Sequence, residues 1–201
     1  MSLFQDISSN PLITLSIWLA EARLHQLTDP EAMTLSTVRE DQTPSARTVL
    51  CKKIDLEQGI YFFTNYKSQK AGEIAKNPLV SAHFLWTPLA RQVRIDGKAE
   101  KISREESEIY FATRPRESQI GAWASPQSEV MIDFQWLTSR VERYTLEFGR
   151  DKPVPCPPHW GGFLIKPTKI EFWEGKKGRL HDRVRLSREK NGEWIRQQIA
   201  P

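Results

Sequence analysis

Ala32-Met33-Thr34-Leu35-Ser36-Thr37-Val38 alternates apolar with small polar side chains, the period-two pattern of a half-buried strand. Asp41-Gln42-Thr43-Pro44 then reads as a turn, and residues 46–53 as a second strand. Glu57-Gln58-Gly59 turns the chain into a third strand, Ile60-Tyr61-Phe62-Phe63-Thr64. Three such runs with turn residues between them predict an antiparallel meander. On its N-terminal side, Leu12, Leu15, Trp18, Leu19, Ala22 and Leu24 fall near one face of a helix predicted over 12–27, which Asp29-Pro30 ends. Residues 1–10 are small and polar and are expected to form a flexible, frayed tail. On the C-terminal side, Ser68 caps a short helix to Lys76, and 79–86 with 92–102 makes a hairpin. Ser103 caps a further helix that Arg114-Pro115 ends, and 129–147 is helical. A Pro-rich loop over 149–158 precedes closing strands at 161–173, 179–188 and 193–198. Strands, then helices, then strands, without regular βαβ alternation, predict a mainly β fold with peripheral helices: a closed antiparallel barrel in a single domain over 11–201.

Composition narrows the function classes. The chain has 201 residues, 39% hydrophobic and 27% charged, the mix of a soluble globular domain. No apolar run approaches the ~18 residues of a membrane span, and 1–10 lacks the basic and apolar regions of a secretory signal. Cys51 and Cys156 stand far apart in no CxxC pattern, which excludes a disulfide framework or cysteine zinc site and fits a reducing cytoplasm. Twenty-nine basic against 25 acidic residues leaves a net charge of +4, too mild to argue for nucleic acid and suited to small anions. There is no GxGxxG, GxxxxGK[ST], HExxH or GxSxG, and His25, His83, His159 and His181 are scattered without metal-ligand spacing.

What stands out is basic residues inside structured segments. Arg47 and Lys52 flank Thr48-Val49-Leu50-Cys51 and, five positions apart on one strand, point to opposite faces. Ser68-Gln69-Lys70 opens a helix whose N–H groups favour an anion. Arg114-Pro115-Arg116-Glu117-Ser118 places two arginines and a hydroxyl in a loop. In Arg179-Leu180-His181-Asp182-Arg183, alternation puts Arg179, His181 and Arg183 on one strand face. Each has a plain structural alternative: an edge-strand charge, an N-cap, a solvated arginine, a polar sheet face. Together they describe two or more anion sites of the kind phosphate prefers. Phe62, Phe63, Trp86, Trp123, Trp160 and Trp173, taken singly, read as core.

Several of these stretches occur in order with others: Phe63-Thr64-Asn65, Arg91-Gln92-Val93, the run from Arg114 to Trp123, Gln127-Ser128, Trp160-Gly161-Gly162, Glu171-Phe172-Trp173 and the run from Arg179 to Arg183. From about Pro11 to Pro201 the chain resembles the pyridoxamine 5′-phosphate oxidase family. The resemblance implies an FMN-binding split barrel, a homodimer with FMN at the subunit interface, and no metal. Its implied FMN residues are Arg47, Thr48, Val49, Leu50, Cys51, Lys52, Phe63, Thr64, Gln69, Lys70, Gln92, Gln127, Ser128, Trp173 and Arg183, with Arg47, Lys70 and Ser128 on the phosphate. Lys52, Tyr110, Arg114 and Ser118 would hold the substrate phosphate, and Arg179 and His181, the implied catalytic pair, would lie against the substrate ring. The implied reaction oxidises pyridoxamine 5′-phosphate or pyridoxine 5′-phosphate to pyridoxal 5′-phosphate, with O2 reduced to H2O2. Two phosphates of about −1.5 to −2 charge in one cleft each need a cationic clamp, and Arg47 with Lys70, and Lys52 with Arg114, would supply two.

The chain departs from that pattern twice. Gln69 stands where the family usually has arginine, which predicts weaker FMN retention by about 1–2 kcal/mol. The family often has a basic N-terminal segment with an Arg and a Tyr that close over substrate. Residues 1–10 contain neither, which predicts a short lid or none. The alternatives are a phenazine-type flavin oxidase on the same barrel and a protein that binds pyridoxal 5′-phosphate or flavin without turnover. RNA binding has no RNP-like motif behind it.

Overall fold

The computed structural model describes residues 3–201. Among these, nine strands form one antiparallel sheet: β1 (Ala32–Val38), β2 (Pro44–Leu50), β3 (Lys53–Asp55), β4 (Gly59–Asn65), β5 (Leu79–Trp86), β6 (Arg91–Lys101), β7 (Trp160–Glu174), β8 (Asp182–Arg188) and β9 (Trp194–Gln198). Six helices flank it: α1 (Leu3–Asp6), α2 (Pro11–Leu24), α3 (Gln69–Lys76), α4 (Arg104–Ala112), α5 (Arg116–Ala124) and α6 (Phe134–Phe148). The order is β2-β1-β5-β6-β7-β4-β3, with β8 and β9 extending from β7.

Strand β7 splits the sheet. One edge pairs along its length with β6. On the other edge residues 160–165 pair with β4 and 169–174 with β8. The divide falls at Pro167, which cannot donate a ladder hydrogen bond, and the β6–β7 register shifts there between Asp96 and Gly97. The sheet therefore curls and opens in two directions from one strand, as a split barrel does.

Alternation in β1, β5 and β6 sends Met33, Leu35, Ala82, Phe84, Val93 and Ile95 into the main core, where Phe62, Ile165, Ile170 and Phe172 join them. Helix α2 covers this core with Leu12, Leu15, Trp18 and Leu19. Trp18 meets Phe172 edge to face at 5.2 Å, and Arg91 lies over the Trp18 ring while pairing with Glu21 and Glu174. A second core of Phe111, Ile120, Val154 and Trp160 joins α4 and α5 to the start of β7. At the turn into β4, Gly59 has a φ of 143°, and an added Cβ would lie 2.0 Å from the Ile165 carbonyl oxygen. Gly59→Ala is expected to destabilise the fold by about 3 kcal/mol. In thermal unfolding that is a Tm lower by roughly 6–12 °C for a chain of this size.

Several expectations are corrected. The second strand stops at Leu50, so Cys51 and Lys52 lie in the connection to β3 and no longer share a strand with Arg47. Arg116–Ala124 is helix α5: Pro115, read as a stop, is its N-cap. The Arg179 to Arg183 run is not a strand throughout. Gly178 and Arg179 have left-handed φ values of 69° and 61°, and β8 begins at Asp182. The expected frayed tail is packed over residues 3–10, while Met1 and Ser2 lie outside the described residues. Leu3 and Ile7 are buried, Leu3 N donates to Asp182, and Arg196 donates to the carbonyls of Phe4 and Ile7. Among the described residues no helix is long and apolar enough to cross a membrane.

Candidate active site

Two clefts are lined by fourteen of the twenty predicted site residues. The first, about 470 Å³, lies where the ends of β2 and β4 meet α3, α4, α5 and the start of β7. Thr48, Val49, Leu50, Lys52, Phe63, Thr64, Lys70, Tyr110, Arg114, Ser118 and Gln127 all line it. Lys70 is buried one residue into α3. Its Nζ donates to Thr64 Oγ1 at 3.1 Å and Ser68 Oγ at 3.3 Å and meets no carboxylate among the described residues. Burial, then the charge of Arg47, lowers its pKa, and Glu73 opposes the shift. Gln127 Oε1 accepts from Thr64 Oγ1 at 3.1 Å, which ties the segment after α5 to β4.

Arg114 sits across the same cleft. Its guanidinium makes no hydrogen bond or ion pair with the described residues, and Nη1 is buried without a partner. Its carbon lies 4.6 Å from the Trp160 ring centre and 5.6 Å from that of Phe111. A half-buried cation whose donors are unspent is costly unless an anion joins it. Phe63, Tyr110 and Trp160 stack nearly parallel beside it, with Phe63 and Tyr110 3.8 Å apart.

Arg47 does not line this cleft. Its Nη2 meets Glu73 at 2.8 Å and Ser45 Oγ at 2.6 Å, and its Nη1 reaches Thr37 and the carbonyls of Leu35 and Ser45. Gln69 also turns to Glu73, at 2.8 Å. Burial would raise the Glu73 pKa, but hydrogen bonds from Thr37, Gln69 and Arg47 outweigh it and hold the carboxyl below its ordinary value. Cys51 is buried on the far side, its thiol pushed up to about 12 by burial, and Ser128 is exposed at a φ of 75°.

The second cleft, about 430 Å³, is lined by His83, Gln92, Arg94, Glu171, Trp173, Arg183 and Pro201. Glu171 is a buried hub for Arg183 at 2.5 Å, Arg94 at 3.2 Å and Arg185 at 3.4 Å, and His83 meets Gln92 at 2.8 Å. Burial opposes ionisation of Glu171, and the hydrogen bonds and charges of these arginines prevail, lowering its pKa. His181 stands beside this cleft, its ring 4.6 Å from Trp173 and its Nδ1 accepting from Lys176 N. Arg179 is exposed next to it. Within one chain, then, Gln92, Trp173 and Arg183 are gathered apart from the first set. Trp160, read as core, lines the first cleft, as do Asn65 and Ser125. The ordered motif Trp160-Gly161-Gly162 was the available signal for Trp160. Glu73, four residues after Gln69 and so on the same helix face, was the signal for the Arg47 contact.

The family description "Pyridoxamine 5′-phosphate oxidase" matches residues 19–147, and "Pyridoxine 5′-phosphate oxidase C-terminal dimerisation region" matches 160–201. The chain belongs to the pyridoxamine 5′-phosphate oxidase family. A pyridoxine/pyridoxamine 5′-phosphate oxidase from Salinibacter ruber is 44% identical over 97% of this chain and 91% of its own length. One from Nostoc punctiforme is 47% identical over 98% and 91%. Among solved structures, PhzG from Burkholderia lata, in complex with tetrahydrophenazine-1-carboxylic acid, superposes with a TM-score of 0.92 at 28% identity, covering 98% of this chain and 96% of that one. A pyridoxamine 5′-phosphate oxidase-related, FMN-binding protein from Nostoc punctiforme shares the fold, with a TM-score of 0.75 at 18% identity over 92% and 96%. Family membership makes the chain an oxidoreductase with FMN as its cofactor. The residues present fit that group: Lys70 is a buried cation without a carboxylate partner, set among hydroxyls at the mouth of a helix. The second cleft draws Glu171, Trp173, Arg183 and Pro201 from the dimerisation region itself.

Proposed function

We propose that the protein oxidises pyridoxamine 5′-phosphate and pyridoxine 5′-phosphate to pyridoxal 5′-phosphate. The observation that carries this reading is the unpaired, half-buried Arg114 in the same cleft as Lys70, so that one cleft offers two separate cations to two phosphates. Lys70, Thr64 and Gln127, with the end of β2, hold the cofactor phosphate and flavin edge. Lys52, Tyr110, Arg114 and Ser118 hold the substrate phosphate. The second cleft of one protomer closes over the first cleft of its partner, bringing Gln92, Trp173 and Arg183 to the flavin and Arg179 and His181 to the substrate ring. Arg179 presses the ring into reactive geometry, and His181 orients it by hydrogen bonding, with no proton step required of it. FMN, when bound, accepts the hydride from substrate C4′ and passes both electrons to O2, giving H2O2. The imine formed from the amine substrate takes up water and releases the aldehyde and ammonium, whereas the alcohol gives the aldehyde directly.

The test is an anaerobic absorbance spectrum of FMN-loaded protein mixed with each phosphorylated vitamer. Bleaching of the visible flavin band, with recovery and H2O2 release in air, is the expected result. A flavin that stays oxidised with both vitamers but bleaches with a reduced phenazine carboxylic acid would replace this reading with the phenazine-type one.

The retreat of Arg47 and Gln69 toward Glu73 bears on cofactor retention. Arginine at position 69 lies one turn from Glu73, where it can neutralise that carboxylate and release Arg47 toward the cleft. Gln69→Arg is expected to tighten FMN binding about tenfold by fluorescence titration, at about 1.4 kcal/mol per tenfold, and to leave riboflavin binding unchanged.

A further inference from the structure

Five arginines in the sheet meet carboxylates: Arg47 meets Glu73, Arg91 meets Glu21 and Glu174, and Arg94, Arg183 and Arg185 share Glu171. Arg188 and Arg196 instead donate to backbone carbonyls. Arg114 is held differently. No carboxylate lies within ion-pair distance of it among the described residues, and the face of Trp160 carries its guanidinium at 4.6 Å. A carboxylate partner would fix the group but consume its charge and its donors. An aromatic face attracts the cation through the ring quadrupole and leaves the planar N–H fork free.

The platform is itself firmly held. Trp160 is almost fully buried and opens β7 opposite Asn65. Arg104 donates to the carbonyls of Trp160 and Cys156 and so pins the backbone there. A Cβ at Gly161 would fall 2.3 Å from the Tyr66 hydroxyl, and one at Gly162 would fall 2.5 Å from Ile102 and 2.8 Å from Phe63. The two glycines let β7 press against those side chains, which sets the depth at which the indole enters the cleft. Phe63 lies nearly parallel to Trp160, 12° apart at 5.4 Å, and stacks on Tyr110, so three rings brace one another beside the guanidinium.

We propose that Trp160 is a positioning residue for anion recognition: its indole face supports Arg114 in place of a carboxylate, keeps the guanidinium charged and open toward the cleft, and thereby sets the preference for phosphorylated over unphosphorylated substrate. This rests on the reading of the cleft given under Proposed function. A merely space-filling tryptophan would affect both kinds of substrate alike, because the rest of the vitamer is the same in each.

The experiment uses FMN-loaded protein and a pair of ligands with no oxidisable group at C4′, 4′-deoxypyridoxine 5′-phosphate and 4′-deoxypyridoxine, titrated by calorimetry so that binding is read without turnover. In Trp160→Leu the phosphorylated ligand is expected to bind about tenfold more weakly, with the unphosphorylated one within about twofold of wild type and FMN content unchanged. Trp160→Phe keeps an aromatic face and is expected to recover part of the loss. It also serves if the leucine variant does not fold. In an Arg114→Ala background, Trp160→Phe is expected to have no further effect on the phosphorylated ligand. Equal weakening of both ligands, or an undiminished phosphate preference in the tryptophan variants, overturns the inference and leaves the function standing. A wild-type protein without any preference for the phosphorylated ligand overturns the functional reading itself.

Discussion

Replacing Arg114 with alanine is expected to lower kcat/KM for pyridoxamine 5′-phosphate at least a hundredfold, while FMN content and the flavin spectrum remain those of wild type. Hydrogen bonds to charged groups contribute about 1.5–3 kcal/mol each. Removing one partner of a buried charged pair costs about 2–5 kcal/mol. At about 1.4 kcal/mol per tenfold, that range spans roughly 1.4 to 3.6 decades and is centred above a hundredfold. The side chain is suited to so large an effect because none of the described residues competes for its donors, it is half-buried, and its support is aromatic. The loss belongs to the phosphate alone, so kcat/KM for unphosphorylated pyridoxine is expected to change little. Arg114→Lys keeps the charge but not the planar fork or the stacked contact, and is expected to fall between the two. Steady-state kinetics on both vitamers checks this. A variant that loses both activities in proportion would show that Arg114 acts through the shape of the cleft and holds no phosphate.

The sequence shows some of this site and hides the rest, for reasons that can be traced. The strands between Ala32 and Thr64 are legible, and in β1 the side chains carry the alternation of burial. The meander expected of them does not form: among the described residues β2 pairs with β1 alone, while β4 pairs with β3 and β7 at the other end of the sheet. Strand β2 turns Ser45 and Arg47 inward and Leu50 outward, which no apolar period announces. The strand expected over 179–188 has the same alternation and yet begins only at Asp182. Two left-handed residues, Gly178 and Arg179, set its path, and a non-glycine in that conformation leaves no periodic trace. Helix α5 is hidden by Pro115, which ends one helix and caps the next. The packed start of the chain rests on Leu3, Phe4 and Ile7, and its polar partners Asp182 and Arg196 come from the far end of the sequence. The first cleft joins six elements that no local pattern relates, so its membership came from ordered motifs. Those motifs carried Arg47 and Gln69 with the rest, whereas the structure turns both toward Glu73. The division into two clefts was also out of reach, because it depends on where β7 changes partners.

That division makes a second large effect testable. Lys70→Ala removes the one buried cation of the first cleft that stands among hydroxyls, and Trp173→Ala strips the second cleft of its indole. Each homodimer is expected to lose most of its FMN and its activity, since both of its sites carry the lesion. When the two variants are co-expressed with different tags and the mixed dimers form at random, half of the dimers hold one chain of each kind. If each flavin lies between the first cleft of one protomer and the second cleft of its partner, the two-fold symmetry of such a dimer places both lesions in one site and leaves the other site intact. One competent site in half of the dimers restores about a quarter of wild-type activity and bound FMN, and mixed dimers purified through both tags recover about half. If each chain instead assembled a whole site by itself, every site in every dimer would carry one lesion, and mixing would recover nothing. The outcome turns on geometry alone, because no residue is restored that was not already present in one of the inactive parents.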